Sequence, residues 1–179
     1  ITAFDLEAVE NIDNIVNEFG ADKEELYRAC KRALTKTARS MRGKLLRDAS
    51  NAIGTNQKIL RNRVKEYAGK PGDNLYAKIF NGLYDISLMR LNPKQISKGV
   101  RAGRSGQIFR EGAFIAKLRG NTEPNVYKKI GKKRFPVATQ KLSIEEKISV
   151  IINNIKSSEF EETFLKRLRE ETRWQVMKR

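Results

Sequence analysis

The chemistry available to this sequence is concentrated in its cations. Between Arg90 and Arg110 the chain sets Arg90, Lys94, Lys98, Arg101, Arg104 and Arg110 among Gly99, Gly103 and Gly106, with no acidic residue between them. A glycine-rich basic stretch can follow a phosphate backbone closely, and each contact to duplex DNA releases about one counterion. The same stretch also reads as a solvated hairpin that is basic because its neighbour is acidic, and residue types alone leave both open. A second cluster, Lys128, Lys129, Lys132, Lys133 and Arg134, surrounds Gly131 and runs into Phe135-Pro136. Aromatics beside such cations can stack on exposed bases, but Tyr127 and Phe135 are more economically read as sheet residues packed inward. Neither cluster matches a zinc finger or the aromatic signature of RNA-recognition sheets.

Residues that would carry catalysis are scarce. The chain has no His, no Gly-x-Ser-x-Gly, no phosphate-binding loop ending in Gly-Lys-Ser/Thr and no acidic run spaced for metal ligation. Glu145-Glu146, Glu161-Glu162 and Glu170-Glu171 are adjacent pairs. Neighbours on a helix point apart, so these read as solvated faces and not as carboxylate dyads. Cys30 stands alone, which excludes a disulfide within the chain, and a zinc site would need carboxylates almost exclusively. Set among Leu26, Ala33 and Leu34 at helical spacing, Cys30 reads as a small buried apolar residue. The expectation is a protein without enzymatic activity, metal or cofactor. Trp174 lies among Arg173, Lys178 and Arg179 and either anchors an interface or closes the core beneath the last helix.

The 179 residues carry 37 Lys and Arg against 21 Asp and Glu, a formal net charge of +16. Such an excess repels itself and seeks a polyanion: nucleic acid, an acidic partner ring or an anionic membrane surface. It is unevenly placed, with 13 basic and 10 acidic side chains in residues 1–67, 16 and 4 in 68–142, and 8 and 7 in 143–179. The length fits one domain. At 39% hydrophobic residues, part of the core is expected to come from neighbouring subunits. No stretch approaches the ~20 apolar residues of a membrane span, and the N-terminus is acidic where a secretory signal is basic. A soluble chain in a reducing cytoplasm at synthesis, with no membrane partner, is the expectation.

Three blocks of elements must position these groups. From about Ala3 to Phe19, Val9, Ile12, Val16 and Phe19 recur at helical spacing, which predicts an amphipathic acidic helix closed by Gly20 and pairing with the basic helix that follows. Asp22 and Glu25 form a capping box for that long second helix, whose stripe runs through Leu26, Cys30, Ala33, Thr37, Met41 and Leu45 until Gly54. Thr55 then starts a short third helix carrying Leu60, Val64 and Tyr67 to Ala68-Gly69. After the turn residues 70–74, strands are expected at Leu75–Phe80, Asp85–Leu91, Gly99–Ala102, Gly112–Leu118 and Asn125–Ile130, with Asn81-Gly82 as a tight turn. Ser143 and Glu146 make a second capping box, Ile144, Ile148, Ile151, Ile152 and Ile155 an apolar helix face, and a last helix turns Phe160, Phe164, Leu168 and Val176 inward. The fold class is α+β: long N-terminal and C-terminal helices packed on a small, mostly antiparallel sheet, with a basic hairpin from about Leu91 to Phe109.

One set of segments resembles a known family. Asp85-Ile86-Ser87-Leu88-Met89-Arg90-Leu91, Lys98-Gly99-Val100, Gly112-Ala113-Phe114-Ile115-Ala116 and Lys133-Arg134-Phe135-Pro136-Val137 occur in the order of the phage minor tail protein Z family. That family is similar in architecture to the tail-completion and neck proteins of long-tailed phages. The resemblance spans about residues 20–179 and rests most on Gly99, Gly112, Ala113, Phe114, Ile115, Arg134 and Pro136. Ser87 stands where members often have Pro, and residues 1–20 do not align.

The resemblance implies a non-enzymatic subunit of a homo-oligomeric ring, a hexamer, at the head-proximal end of a tail. It would sit between tail terminator or tail tube and head-connector proteins, in the virion after assembly in the host cytoplasm. Six copies would sum to a charge on the order of +96, which places some of the basic groups toward phage DNA in the lumen. The alternative is an autonomous basic nucleic-acid-binding protein.

Overall fold

A computed structural model describes residues 2–7, 17–69 and 76–178. The chain is α+β. Its spine is helix α1 (Lys23–Ile53), about 46 Å long at 1.5 Å per residue. Asp22 caps it as the sequence predicts: its carboxylate accepts from the amides of Glu24 and Glu25 at 2.9 and 2.8 Å, and Glu25 returns a bond to the Asp22 amide. Gly54 ends it in the left-handed region at φ 71°, letting the Thr55 amide reach the Ser50 carbonyl at 2.9 Å. Ala29, Ala33, Ala38 and Ala49 are buried along it between Leu34, Met41, Leu45 and Ile53. Small residues at these positions let the flanking elements approach the helix axis closely.

After the short helix α2 (Gln57–Arg61) come strands β2 (Val64–Gly69) and β3 (Tyr76–Asn81). Strand β1 (Thr2–Glu7) pairs antiparallel with β3, giving the order β1-β3-β2. This corrects the N-terminal reading, because residues 2–7 are extended and not helical. A helical turn at 17–19 does run into Gly20 at φ 58°, while Val9, Ile12 and Val16 lie outside the described residues. Val64 and Tyr67 likewise belong to a strand: two β-branched or aromatic residues in a short segment lined against β3 outweigh their helical spacing. The turn expected at 70–74 lies outside the described residues. Asn81-Gly82 is not a hairpin turn, since β3 returns to β2 and β1, and the Gly82 amide bonds to the Arg63 carbonyl at 2.8 Å.

Beyond β3 the strands form three further small antiparallel sheets in place of one. Strand β4 (Ile86–Ser87) continues into a 3-10 turn over Leu88–Leu91, shortening the strand expected at 85–91. Strands β5 (Lys94–Ile96), β6 (Gly99–Ala102) and β7 (Ile108–Glu111) make a meander. Strands β8 (Ala113–Ala116), β9 (Asn125–Lys129) and β10 (Val137–Thr139) make a second three-stranded sheet in the order β10-β9-β8. Strand β11 (Lys141–Leu142) pairs with β4.

Helices α3 (Glu145–Ser158) and α4 (Phe160–Val176) complete the described chain. The Ser143 capping box does not form: α3 starts after Ile144 with no side-chain cap, and Ile144 is buried instead. Helix α4 packs along α1, burying Phe160, Phe164 and Leu168. So the partner of the basic helix is the C-terminal helix. Ion pairs join the two, with Lys36 and Arg32 on the buried carboxylate of Glu171, and Lys44 on Glu159 at the start of α4.

Candidate functional site

The basic segment from Leu91 to Phe109 is not a free hairpin but the β5–β6–β7 meander, packed against the end of α1. Leu91, Val100, Ala102 and Ile108 are buried beneath it. Gly103 donates to the Leu91 carbonyl at 2.7 Å, and the Arg104 amide donates to the Gly54 carbonyl at 2.7 Å. Glycine spacing and like charge read as opposing a compact loop; the alternation of Val100, Ala102 and Ile108 under the strands supplies the packing that overrides them.

Register sorts the cations. Lys94 pairs with Arg101 and Arg101 with Phe109, so these three form one cross-strand row on the outer face. The Arg101 guanidinium lies 5.6 Å from the Phe109 ring centre, and Phe109 is 39% exposed. Lys98 occupies the two-residue turn between β5 and β6 and is exposed. Arg90 is exposed on the 3-10 turn, and Arg110 is half-buried with its side chain on the Phe109 carbonyl at 3.2 Å.

Arg104 has a different role from the one its neighbours suggest. Its guanidinium donates to the Asn51 side chain and the Thr55 carbonyl, both at 3.2 Å. These acceptors sit at the C-terminal end of α1, where carbonyls lack helical partners and a cation is favourable. Arg104 therefore staples the meander to the helix.

Glycine needs differ too. A Cβ on Gly99 (φ 154°) would lie 2.2 Å from the Arg110 carbonyl oxygen, so β6 and β7 approach as closely as they do only because Gly99 has none. Gly112 also has positive φ, 68°, but nothing closer than the Lys128 side chain at 4.0 Å. It turns the chain from the meander into β8, its amide held by the Lys98 carbonyl at 2.9 Å.

The other cluster continues from that corner. Ala113 pairs with Lys128, so β8 carries the Gly112 corner to the end of β9 where Lys128 and Lys129 lead into the 130–136 loop. The loop closes with the Ile130 amide on the Pro136 carbonyl at 3.1 Å, and the Phe135-Pro136 peptide is cis. Lys132, Lys133 and Arg134 are exposed. The inward reading of the two aromatics holds for one of them. Tyr127 is buried, its hydroxyl accepting from Asn121 at 2.7 Å and its ring 6.2 Å from Phe114. Phe135 instead stands 57% exposed with the Arg134 guanidinium 5.8 Å from its ring centre. Pro136 turns the chain before β10 begins at Val137, so Phe135 falls outside the ladder that would have aimed it inward.

Two residues that sequence reasoning passed over hold this region together. Gln95 bridges the sheets: its carbonyl oxygen accepts from the Ile115 amide at 2.9 Å, and its amide donates to the Gly99 carbonyl at 3.0 Å. Arg63 is buried, donating to the Tyr84 and Asp85 carbonyls, with its guanidinium 3.9 Å from the Tyr84 ring centre. Burial lowers its pKa and nearby Arg90 adds to this, while Tyr84 and Asp85 oppose it. The sequence placed it inside the expected third helix, where it carried no signal of this role.

Elsewhere, Cys30 is buried and desolvation pushes its thiol up to about 11, leaving it a core residue. Trp174 is 44% exposed on the α4 surface, with Arg32 and Lys178 at 4.5 and 4.8 Å from its ring. Among the described residues no cluster of acidic or Cys side chains is placed to hold a metal, and no helix is long and apolar enough to cross a membrane. Compared with protein-family models, with curated proteins and with solved structures, the chain has no match.

Proposed function

We propose that this chain is a structural, non-enzymatic virion protein of a tailed phage or prophage. It would be a ring-forming tail-completion or neck subunit at the head-proximal end of the tail that helps head–tail joining and DNA passage. The observation that carries the reading is the convergence of the segments that bear the family resemblance. Gly112-Ala113-Phe114-Ile115-Ala116 is the β8 corner and strand, Phe135-Pro136-Val137 enters β10, and the two flank β9 in one sheet. Lys98-Gly99-Val100 meets the same corner through the Lys98 carbonyl.

Surface chemistry supports a subunit role. Val150 and Met177 stand 55 and 75% exposed on the helical side of the chain, apolar side chains that a neighbouring copy could cover. The cations of the meander edge have no carboxylate partner among the described residues, so an acidic neighbouring ring or DNA in a lumen would compensate them.

Particles purified from a producing lysate test the reading. The chain is expected in intact particles in several copies, with immunogold label at the head-proximal end of the tail. Its absence from intact particles, with the protein left free in the lysate, would overturn the proposal and leave the autonomous nucleic-acid-binding protein.

A further inference from the structure

We propose that the edge formed by the Lys98 turn, the Gly112 corner and the 130–136 loop is a binding site for single-stranded nucleic acid, with phosphates along its lysines and a base stacked on Phe135. The inference stands on these residues and does not need the ring.

The fold brings the parts together from three places in the chain. The Lys98 carbonyl holds the Gly112 amide, Ala113 pairs with Lys128, and Lys129 pairs with Val137 across the base of the loop. Lys98, Lys128, Lys132, Lys133 and Arg134 thus share one end of the β region. None has an ion-pair partner among the described residues. Only Glu111 and Glu123 are acidic between Lys98 and Arg134. Glu123 belongs to the opposite end of the sheet, where Ala116 pairs with Asn125, so Glu111 is the one carboxylate that the segment from Lys98 to Arg134 brings to this edge. A concentration of unpaired cations focuses field and gathers polyanions.

Charge alone would suit a duplex, a membrane or an acidic protein. The aromatics decide among them. Phe135 is more than half exposed beside three consecutive cations, and Phe109, two residues along β7 from Glu111, is exposed beside Arg101, with Lys94 one strand further on. Each ring keeps an arginine close by, at 5.8 and 5.6 Å. A positively charged track with successive aromatic platforms is the arrangement that holds single strands, because every base offers a face to stack. A duplex offers such a face only after a base step is unstacked. Membrane insertion calls for a broad apolar face, whereas Phe135 and Ile130 of this loop stand among Lys132, Lys133 and Arg134, and Phe109 lies apart on β7 with Arg101 close to its ring.

Equilibrium binding of the isolated chain to a fluorescent 15-nucleotide oligothymidylate, followed by anisotropy, tests the inference. Phe135→Ala is expected to weaken binding about tenfold without changing its salt dependence, and Phe135→Trp to restore it. The triple change Lys132→Gln, Lys133→Gln and Arg134→Gln is expected to reduce the slope of log affinity against log salt by about 2, at roughly 0.7 per phosphate contact. All four side chains are exposed, and unchanged thermal melts verify that the variants fold. Equal affinity for a duplex together with a neutral Phe135→Ala overturns the proposal in favour of a duplex track. Capture by vesicles containing phosphatidylserine without oligonucleotide binding overturns it in favour of a membrane surface. Because the readout is binding in solution, its failure leaves the location of the chain in particles untouched.

Discussion

Gly99 and Gly112 bound the same strand-to-strand passage and both have positive φ, yet alanine at the two positions should have very different consequences. At Gly99 the new Cβ would stand 2.2 Å from the Arg110 carbonyl oxygen and 3.0 Å from the Glu111 Cα. Both are backbone atoms of the paired strand, so no side chain can swing away. Relief requires β6 and β7 to part by about 1 Å, which loosens the Gly99–Glu111 end of the ladder over buried Val100. The unfavourable φ costs about 1–3 kcal/mol, and losing much of the burial of one Val-sized side chain adds about 1.5–3 kcal/mol. Gly112→Ala meets only the φ cost, about 1–2 kcal/mol, since its nearest neighbour is a flexible lysine at 4.0 Å. For a chain of this length each kcal/mol moves the melting temperature by about 2–4 °C. Gly99→Ala should therefore melt about 10 °C lower or fail to fold, and Gly112→Ala about 3–5 °C lower. Thermal and urea melts followed by circular dichroism measure both. A Gly112→Ala protein as damaged as Gly99→Ala, or more so, would refute the steric argument.

Among the meander cations, Arg104→Ala should cost about 1 kcal/mol in a urea melt, because it removes two hydrogen bonds at the end of α1. Lys94→Ala with Lys98→Ala should stay within about 0.5 kcal/mol of the parent, and equal losses would show that the staple contributes nothing. Cys30 should resist iodoacetamide at pH 8 in the folded protein, since a thiol pushed up to about 11 is only about one part in a thousand thiolate there. Its raised pKa also means that this group's contribution is intact below the unfolded value of 9.0 and is lost as pH climbs toward 11, so Cys30→Ala should lessen the fall in stability across that window. Asn81→Leu should raise the urea midpoint. Among the described residues the buried Asn81 amide has no hydrogen-bond partner, and it lies beside a small cavity of about 10 Å³ lined by Met41, Leu45, Ile79, Ile152 and Ile155; an unchanged or lower midpoint would show that the amide is satisfied.

Helical elements were legible wherever one short-range rule decided them. The Asp22–Glu25 capping box, the Leu26-to-Leu45 stripe and the Gly54 stop depend on residues a few positions apart, and α1 follows them. Val64 and Tyr67 fit a helical spacing equally well, and what made them a strand was β3, a partner in another part of the chain. Ser143 shows the limit of local signals from the other side: its capping box is present in the sequence, but burial of Ile144 sets the start of α3. The candidate site was legible as a set of cations and not as a surface. Nothing local distinguishes Arg104, which the Gly54 turn recruits from 50 positions away, from Arg101, which faces solvent. Phe135 and Tyr127 could be separated only by knowing where β10 begins.

That separation of roles extends to the whole positive charge. Along α1, five cations meet carboxylates: Arg28 with Glu24, Arg32 and Lys36 with Glu171, Arg42 with Glu66, Lys44 with Glu159. Exposed pairs of this kind contribute little each. Their larger effect is to choose α4 as the neighbour of α1, because the Glu171 carboxylate is buried and would be costly without Lys36 and Arg32 beside it. Among the cations that no carboxylate meets in these pairs are those of the meander turn and the 130–136 loop, gathered at one end of the β region. Such groups contribute nothing to folding by pairing within the chain and raise its self-repulsion, so the fold tolerates them only because they are solvated at an edge. A concentration of them at one edge, with Phe135 exposed among three consecutive cations, has the chemistry of a surface that meets something else.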